Sequence, residues 1–217
     1  MKSFTSKDAF EFIEIDPAAL LEQQGNINDI LYYRDVQARK LFIYDSISIH
    51  TVSDICRNIL QYNADDRGKP VEERQPILLY IDSVGGDVAS GFKLIDTIIA
   101  SKTPVYTISS YGYSMAFLIL IAGHKRFGLQ NSTYLLHDGM TGGTNSSSKY
   151  YDTADFMRRQ DERVKNYVVS RTGITPQMYD ENVRKEWYMF ADEAKAFGVI
   201  DCIIGQDTDI DEISFSD

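Results

Sequence analysis

Apolar residues fall into short blocks with distinct periods, and those blocks predict an alternation of strands and helices from Arg39 to the region of Ile204. Leu41 to Ile47 (LFIYDSI) reads as a strand. Val52, Ile55, Ile59 and Tyr62 follow at helical spacing. Asn63 to Gln75 holds Gly, Pro and seven charged residues and reads as a surface loop. Ile77 to Ile81 is apolar throughout and bounded by Pro76 and Asp82-Ser83, as expected of a strand buried on both faces. After the pair Gly85-Gly86, Asp87 is placed to cap a helix whose Val88, Phe92, Ile95 and Ile99 form an apolar stripe.

The same unit repeats downstream. Val105 to Ser109 reads as a strand, Tyr111-Gly112-Tyr113 as a tight turn, and Ser114 to Ala122 as a helix apolar enough to require burial. Gly123 ends it, a loop with Arg126 and Gly128 follows, and Thr133 to His137 is the next strand. Gly142 to Lys149 reads as a flexible connection to a charged helix, roughly Asp152 to Arg171, with Phe156, Val164, Tyr167 and Val168 on one face. Thr175-Pro176 marks a helix start, Ala191 to Phe197 a helix stopped by Gly198, and Val199 to Ile204 a last strand. The pattern is α/β. Residues 1–38 form an N-terminal arm of weak periodicity, 39–205 the domain, and 206–217 an acidic tail without Lys or Arg that reads as disordered.

With 217 residues, one core of ordinary size suffices without disulfides. Cys56 and Cys202 lie far apart with no metal-ligand spacing and read as buried structural thiols, and no cofactor or metal is expected. The longest apolar run, Met115 to Ala122, is far short of the roughly 20 residues that cross a bilayer. The opening residues carry Asp and Glu where an export signal needs apolar ones, so a cytoplasmic location is expected. A net charge of −10 without clustered Lys and Arg argues against nucleic acid or an anionic membrane as partner.

Three features carry candidate chemistry. Ser114, in Gly112-Tyr113-Ser114-Met115-Ala116, follows a strand and opens a helix, where a base could activate its hydroxyl and the helix dipole would favour developing negative charge. A serine there can also merely cap the helix. His137 is one of three histidines and closes an apolar strand, where it can serve as a base or as a structural donor. Ser83-Val84-Gly85-Gly86-Asp87 can bring a main-chain N–H to an oxyanion or form an ordinary turn.

Taken together, these segments resemble one family, the proteolytic subunit of the Clp protease (ClpP), from about Arg39 to Ile204. ILLYIDSVGGDVASGFKLIDTI is similar to its strand, oxyanion loop and helix, YSMAFLILIAG to its nucleophile segment, FGLQNSTYLLHDGM to its histidine strand, and WYMFADEAKAFGVIDCII to its closing segment. The resemblance implies Ser114 as nucleophile, His137 as general base, and the backbone N–H groups of Gly86 and Met115 as the oxyanion hole. The family's usual aspartate aligns with Glu186, and Asp180, Glu181 and Asp192 stay open as alternatives. The turn before Ser114 is about a residue shorter than usual, and Val84 stands where proline is common. It further implies the crotonase-like spiral of strand-strand-helix units, with Tyr150 to Arg171 as a protruding handle. A homo-oligomer of stacked rings, commonly heptameric, would enclose polypeptide substrates. The arm does not resemble the family's axial-pore segment, so a Clp-type AAA+ ATPase partner stays open. The same fold also serves acyl-CoA hydratases and isomerases, and an inactive scaffolding ring subunit is a third possibility.

Overall fold

The computed structural model describes residues 27–139 and 146–214. The chain divides into Met1–Ala38 and Arg39–Asp217. Within the first unit, Ile27–Gln37 is an α-helix (α1). The N-terminal arm before it lies outside the described residues, as does the first half of the predicted flexible connection, residues 142–145.

The second unit is built on a six-stranded sheet of β1 (Lys40–Ile43), β2 (Ile77–Ser83), β3 (Val105–Tyr113), β4 (Lys125–Leu136), β5 (Trp187–Phe190) and β6 (Cys202–Ile204). The order is β1-β2-β3-β4-β5, with β6 also on β4. Every pairing is parallel except β4–β5. Helices α2 (Ile49–Asp65), α3 (Val88–Ala100), α4 (Met115–Leu120), α5 (Ser147–Arg171), α6 (Pro176–Asn182), α7 (Ala191–Ala196) and α8 (Ile210–Ser214) complete the unit. This is the mixed α/β, parallel-dominated fold expected of the sequence.

Local chemistry explains most boundaries. Ser48 caps α2 with a reciprocal Thr51 bond, Asp87 accepts from Ser90 N at the start of α3, and Thr175 accepts from Met178 N with Pro176 in the first turn of α6. The buried stripe of α3 runs through Gly91, Leu94, Ile95 and Ile98, whereas Ile99 is half exposed, so the predicted stripe is displaced by about one residue. Residues 115–122 are all buried, as their composition demands.

Elsewhere the sequence reading is corrected. β3 runs on through Tyr111-Gly112-Tyr113 rather than turning there, because an extra residue, Ser110, is taken up as a bulge. Asp82 Oδ1 secures that bulge by accepting from Ser110 N (2.8 Å) and Ser110 Oγ (2.7 Å). The predicted loop around Arg126 and Gly128 is the first half of β4, where Arg126 makes a forked pair with Asp201. The α5 helix begins at Ser147, inside the segment read as a connection. The predicted disordered tail contains α8, whose Ile213 is buried with Leu78, Ile108, Phe127 and Ile204.

Asp66, in the segment read as a surface loop, is fully buried. Burial opposes its ionisation, but bonds from Arg39 (2.6 and 2.9 Å), Lys69 (3.0 Å) and Thr103 (3.0 Å) outweigh it and hold the carboxyl well below the ordinary range. A depressed folded-state pKa stabilises the fold above the unfolded value of about 3.9, and that contribution is lost as pH falls toward the folded value. Asp66→Asn is expected to cost about 3–5 kcal/mol at pH 7 by stranding Arg39. Urea unfolding at pH 7 and at pH 3 checks this, since the gap from wild type narrows at the lower pH.

Candidate active site

Parallel pairing brings the carboxyl ends of β2, β3 and β4 side by side, the position where open α/β sheets bind ligands. Register fixes the neighbours: Ser83 lies opposite Gly112, and Tyr113 opposite Leu135. The residues just beyond these strands, Gly85-Gly86, Ser114 and His137, therefore emerge at one edge.

Ser114 adopts φ 55° and ψ −120°, a strained conformation for a residue with a side chain. Its N–H bonds to Leu135 O (2.9 Å), which ties the turn to β4. It occupies the cap position of α4, yet its hydroxyl makes no capping bond, so the capping alternative does not account for it. α4 itself has six residues, shorter than the predicted Ser114 to Ala122.

The glycine loop packs against this turn. A Cβ on Gly85, whose φ is 97°, would lie 2.7 Å from Tyr113 O, 2.8 Å from Ser114 Cβ and 2.9 Å from Met115 N. Only glycine fits. Gly86 is pinned from both sides by Ile47 N donating to Gly85 O (2.8 Å) and Asp87 N donating to Ile47 O (2.8 Å). Neither the Gly86 N–H nor the Met115 N–H has an acceptor among the described residues. Asp87 is held ionised below its ordinary range by its bonds from Ser90.

His137 follows β4, and its Nδ1 lies 3.1 Å from Glu186 Oε1. The pairing is a consequence of sheet register: Leu135 faces Tyr188 and Leu136 faces Trp187 across antiparallel β4–β5, so the next positions outward are His137 and Glu186. Among the other acids, Asp180 pairs with Lys165 (2.7 Å), Glu181 accepts from Gln177 (2.7 Å), and Asp192 sits in the first turn of α7. Ser114 and His137 line one cleft of about 810 Å³, together with Gly86, Leu118, Leu136, Met157, Asp161 and Val164. No hydrogen bond joins the Ser114 hydroxyl to the imidazole among the described residues.

The sequence reading missed the walls of this cleft. Leu118 lies one helical turn after Ser114, and Met157, Asp161 and Val164 repeat along α5 at helical spacing, a signal that was present but points equally to a core face. The cleft has an acidic side: partial burial and the Asp138 carboxylate push Asp161 up. Burial, with Asp161 and Asp138, pushes the Tyr179 phenol up to about 12. His124 is structural, accepting the Val105 N–H (3.0 Å) with burial pushing its pKa down. Cys56 is buried and Cys202 half-buried, both free, and no metal-binding cluster of His, Cys, Asp and Glu occurs among the described residues. No helix there is long and apolar enough to cross a membrane.

A parallel-dominated α/β sheet that presents at one edge a serine, a carboxylate-bound imidazole and two main-chain N–H groups without acceptors among the described residues has the parts that serine-class acyl-transfer hydrolases use. The chain belongs to the Clp protease family, whose profile matches residues 23–207. It is 27% identical over 184 residues to ATP-dependent Clp protease proteolytic subunit 2 of Treponema pallidum, covering 83% of this chain and 89% of that protein. Identity to proteolytic subunit 1 of Shouchella clausii is 28% over 177 residues, covering 80% and 89% respectively. For subunit 2 of Treponema denticola it is 28% over 194 residues, covering 88% and 94%.

Proposed function

We propose that this protein is a serine endopeptidase that hydrolyses peptide bonds of short or unfolded polypeptides. The observation that carries the reading is a strained Ser114, its hydroxyl unused for capping, sharing a cleft with an imidazole bound to Glu186. With Nδ1–H donating to Glu186, the other ring nitrogen, Nε2, holds the lone pair that a base requires. His137 takes the Ser114 proton as Oγ attacks the scissile carbonyl carbon. The oxyanion that forms is received by the Gly86 and Met115 N–H groups. Collapse of this intermediate breaks the C–N bond, the imidazolium gives its proton to the departing amine, and an acyl-enzyme remains. Water then attacks with His137 as base, and collapse releases the acid and restores Ser114.

The family assignment supports action within a homo-oligomer of stacked rings whose chamber admits extended chains, with α5 as the handle between subunits. The names of the relatives, ATP-dependent proteolytic subunits, support a Clp-type ATPase as partner. Incubation with fluorogenic peptides, beside CoA thioesters as control, tests the reading. Peptide turnover alone is expected; thioester turnover would favour a hydratase or isomerase, and silence in both a scaffolding subunit.

A further inference from the structure

Helix α4 is so short that its carbonyls lie almost wholly within its last turn, where intrahelical donors run out. The last four, from Phe117 O to Leu120 O, nevertheless each have a donor. Ile121 N serves Phe117 O (3.2 Å), Ala122 N serves Ile119 O (3.1 Å), and Gly123 N (3.2 Å) with Thr107 Oγ1 (2.8 Å) serve Leu120 O. Leu118 O and the three carbonyls after the helix are reached from α5. Tyr167 Oη donates to Leu118 O (3.1 Å). Arg171 donates through Nε to Ile121 O (2.8 Å) and through Nη2 to Ala122 O (3.1 Å) and Gly123 O (2.8 Å). The guanidinium thus closes the end of the helix that begins at Ser114. Arg126 Nη1 in turn donates to Arg171 O (2.7 Å) and anchors this end of α5 to the sheet.

Tyr167 and Arg171 are four residues apart and continue the face on which Met157, Asp161 and Val164 line the cleft. One helix face therefore borders the cleft at one end and grips the Ser114 helix at the other. A serine at φ 55° keeps that conformation only when its surroundings over-determine it. We infer that Tyr167 and Arg171 are positioning residues for Ser114: they fix the tilt and depth of α4 and couple the placement of the nucleophile to the helix that lines the substrate cleft. The inference rests on Ser114 being the nucleophile.

The test measures, on the full chain, the rate of Ser114 modification by a small fluorophosphonate, and amide hydrogen exchange in 115–123 against 77–83. Arg171→Met, which keeps the aliphatic stem, is expected to lower the labelling rate about tenfold to a hundredfold. It should speed exchange in 115–123 while leaving 77–83 unchanged. Tyr167→Phe, the milder variant, should lose about threefold to tenfold. Arg171→Lys should fall between Arg171→Met and wild type, and Arg57→Met, at an exposed ion pair, should match wild type. Wild-type labelling and exchange in Arg171→Met would overturn the inference, as would exchange that rises equally in 77–83. An unlabelled wild type whose Arg171→Met variant still loosens 115–123 alone would sink the nucleophile assignment and uphold the tether.

Discussion

His137→Ala is expected to reduce peptide turnover by about 10⁴- to 10⁶-fold, the scale on which loss of the base disables a serine nucleophile. The side chain is mostly buried at the end of β4, so the substitution removes a ring from the cleft edge without cutting the strand's ladder. Melting temperature should therefore change little while turnover collapses. A variant that keeps even a tenth of wild-type turnover would mean that another group takes the Ser114 proton.

Glu186→Gln is the second large effect. An amide at this position can donate its own N–H to Nδ1 and select the tautomer whose Nε2 carries the proton, which leaves the base without its lone pair. A loss of about 10²- to 10⁴-fold is expected, toward the lower end because the Glu186 side chain is 59% exposed and its bond to His137 is partly hydrated. Glu186→Asp should retain more turnover than the amide, since charge is kept and only reach is shortened. Steady-state kinetics on one fluorogenic peptide decides this; equal rates for wild type and Glu186→Gln would move the orienting role to another acid.

The unit from Ile77 to Ala100 was legible because its residues report directly on local physics: an apolar run from Ile77 to Ile81, a glycine pair, and a capping aspartate before an amphipathic helix. Ser114 and His137 stood out as candidates by the same means, each at a junction where apolar periodicity changes, but their roles came only from the family resemblance. The partner of His137 was not legible. Strand β5 buries Met189 while Tyr188 and Phe190 are exposed, so aromatic residues on its open side hide the alternation that marks a strand. Without that strand, no spacing rule places Glu186 opposite His137, and only the family resemblance pointed to it.

Polar residues misled for a common reason. Arg126, Asp66 and the acids around Ile213 suggested solvent, yet the first two are satisfied by specific partners, and Ile213 docks on the sheet regardless of the charges beside it. Composition reports average solvation and misses a charge that meets its counterpart from a distant segment, as Arg39 does with Asp66 or Arg126 with Asp201. The tether from Arg171 to α4 belongs to the same class, because its acceptors are main-chain carbonyls that no side-chain pattern reveals.

Treatment of the full-length protein with a fluorophosphonate, followed by mass spectrometry of its peptides, tests the central claim most directly. One phosphonyl adduct per chain on Ser114, absent from Ser114→Ala and strongly slowed in His137→Ala, is the predicted result. An adduct on another residue, or labelling that survives in Ser114→Ala, would contradict it.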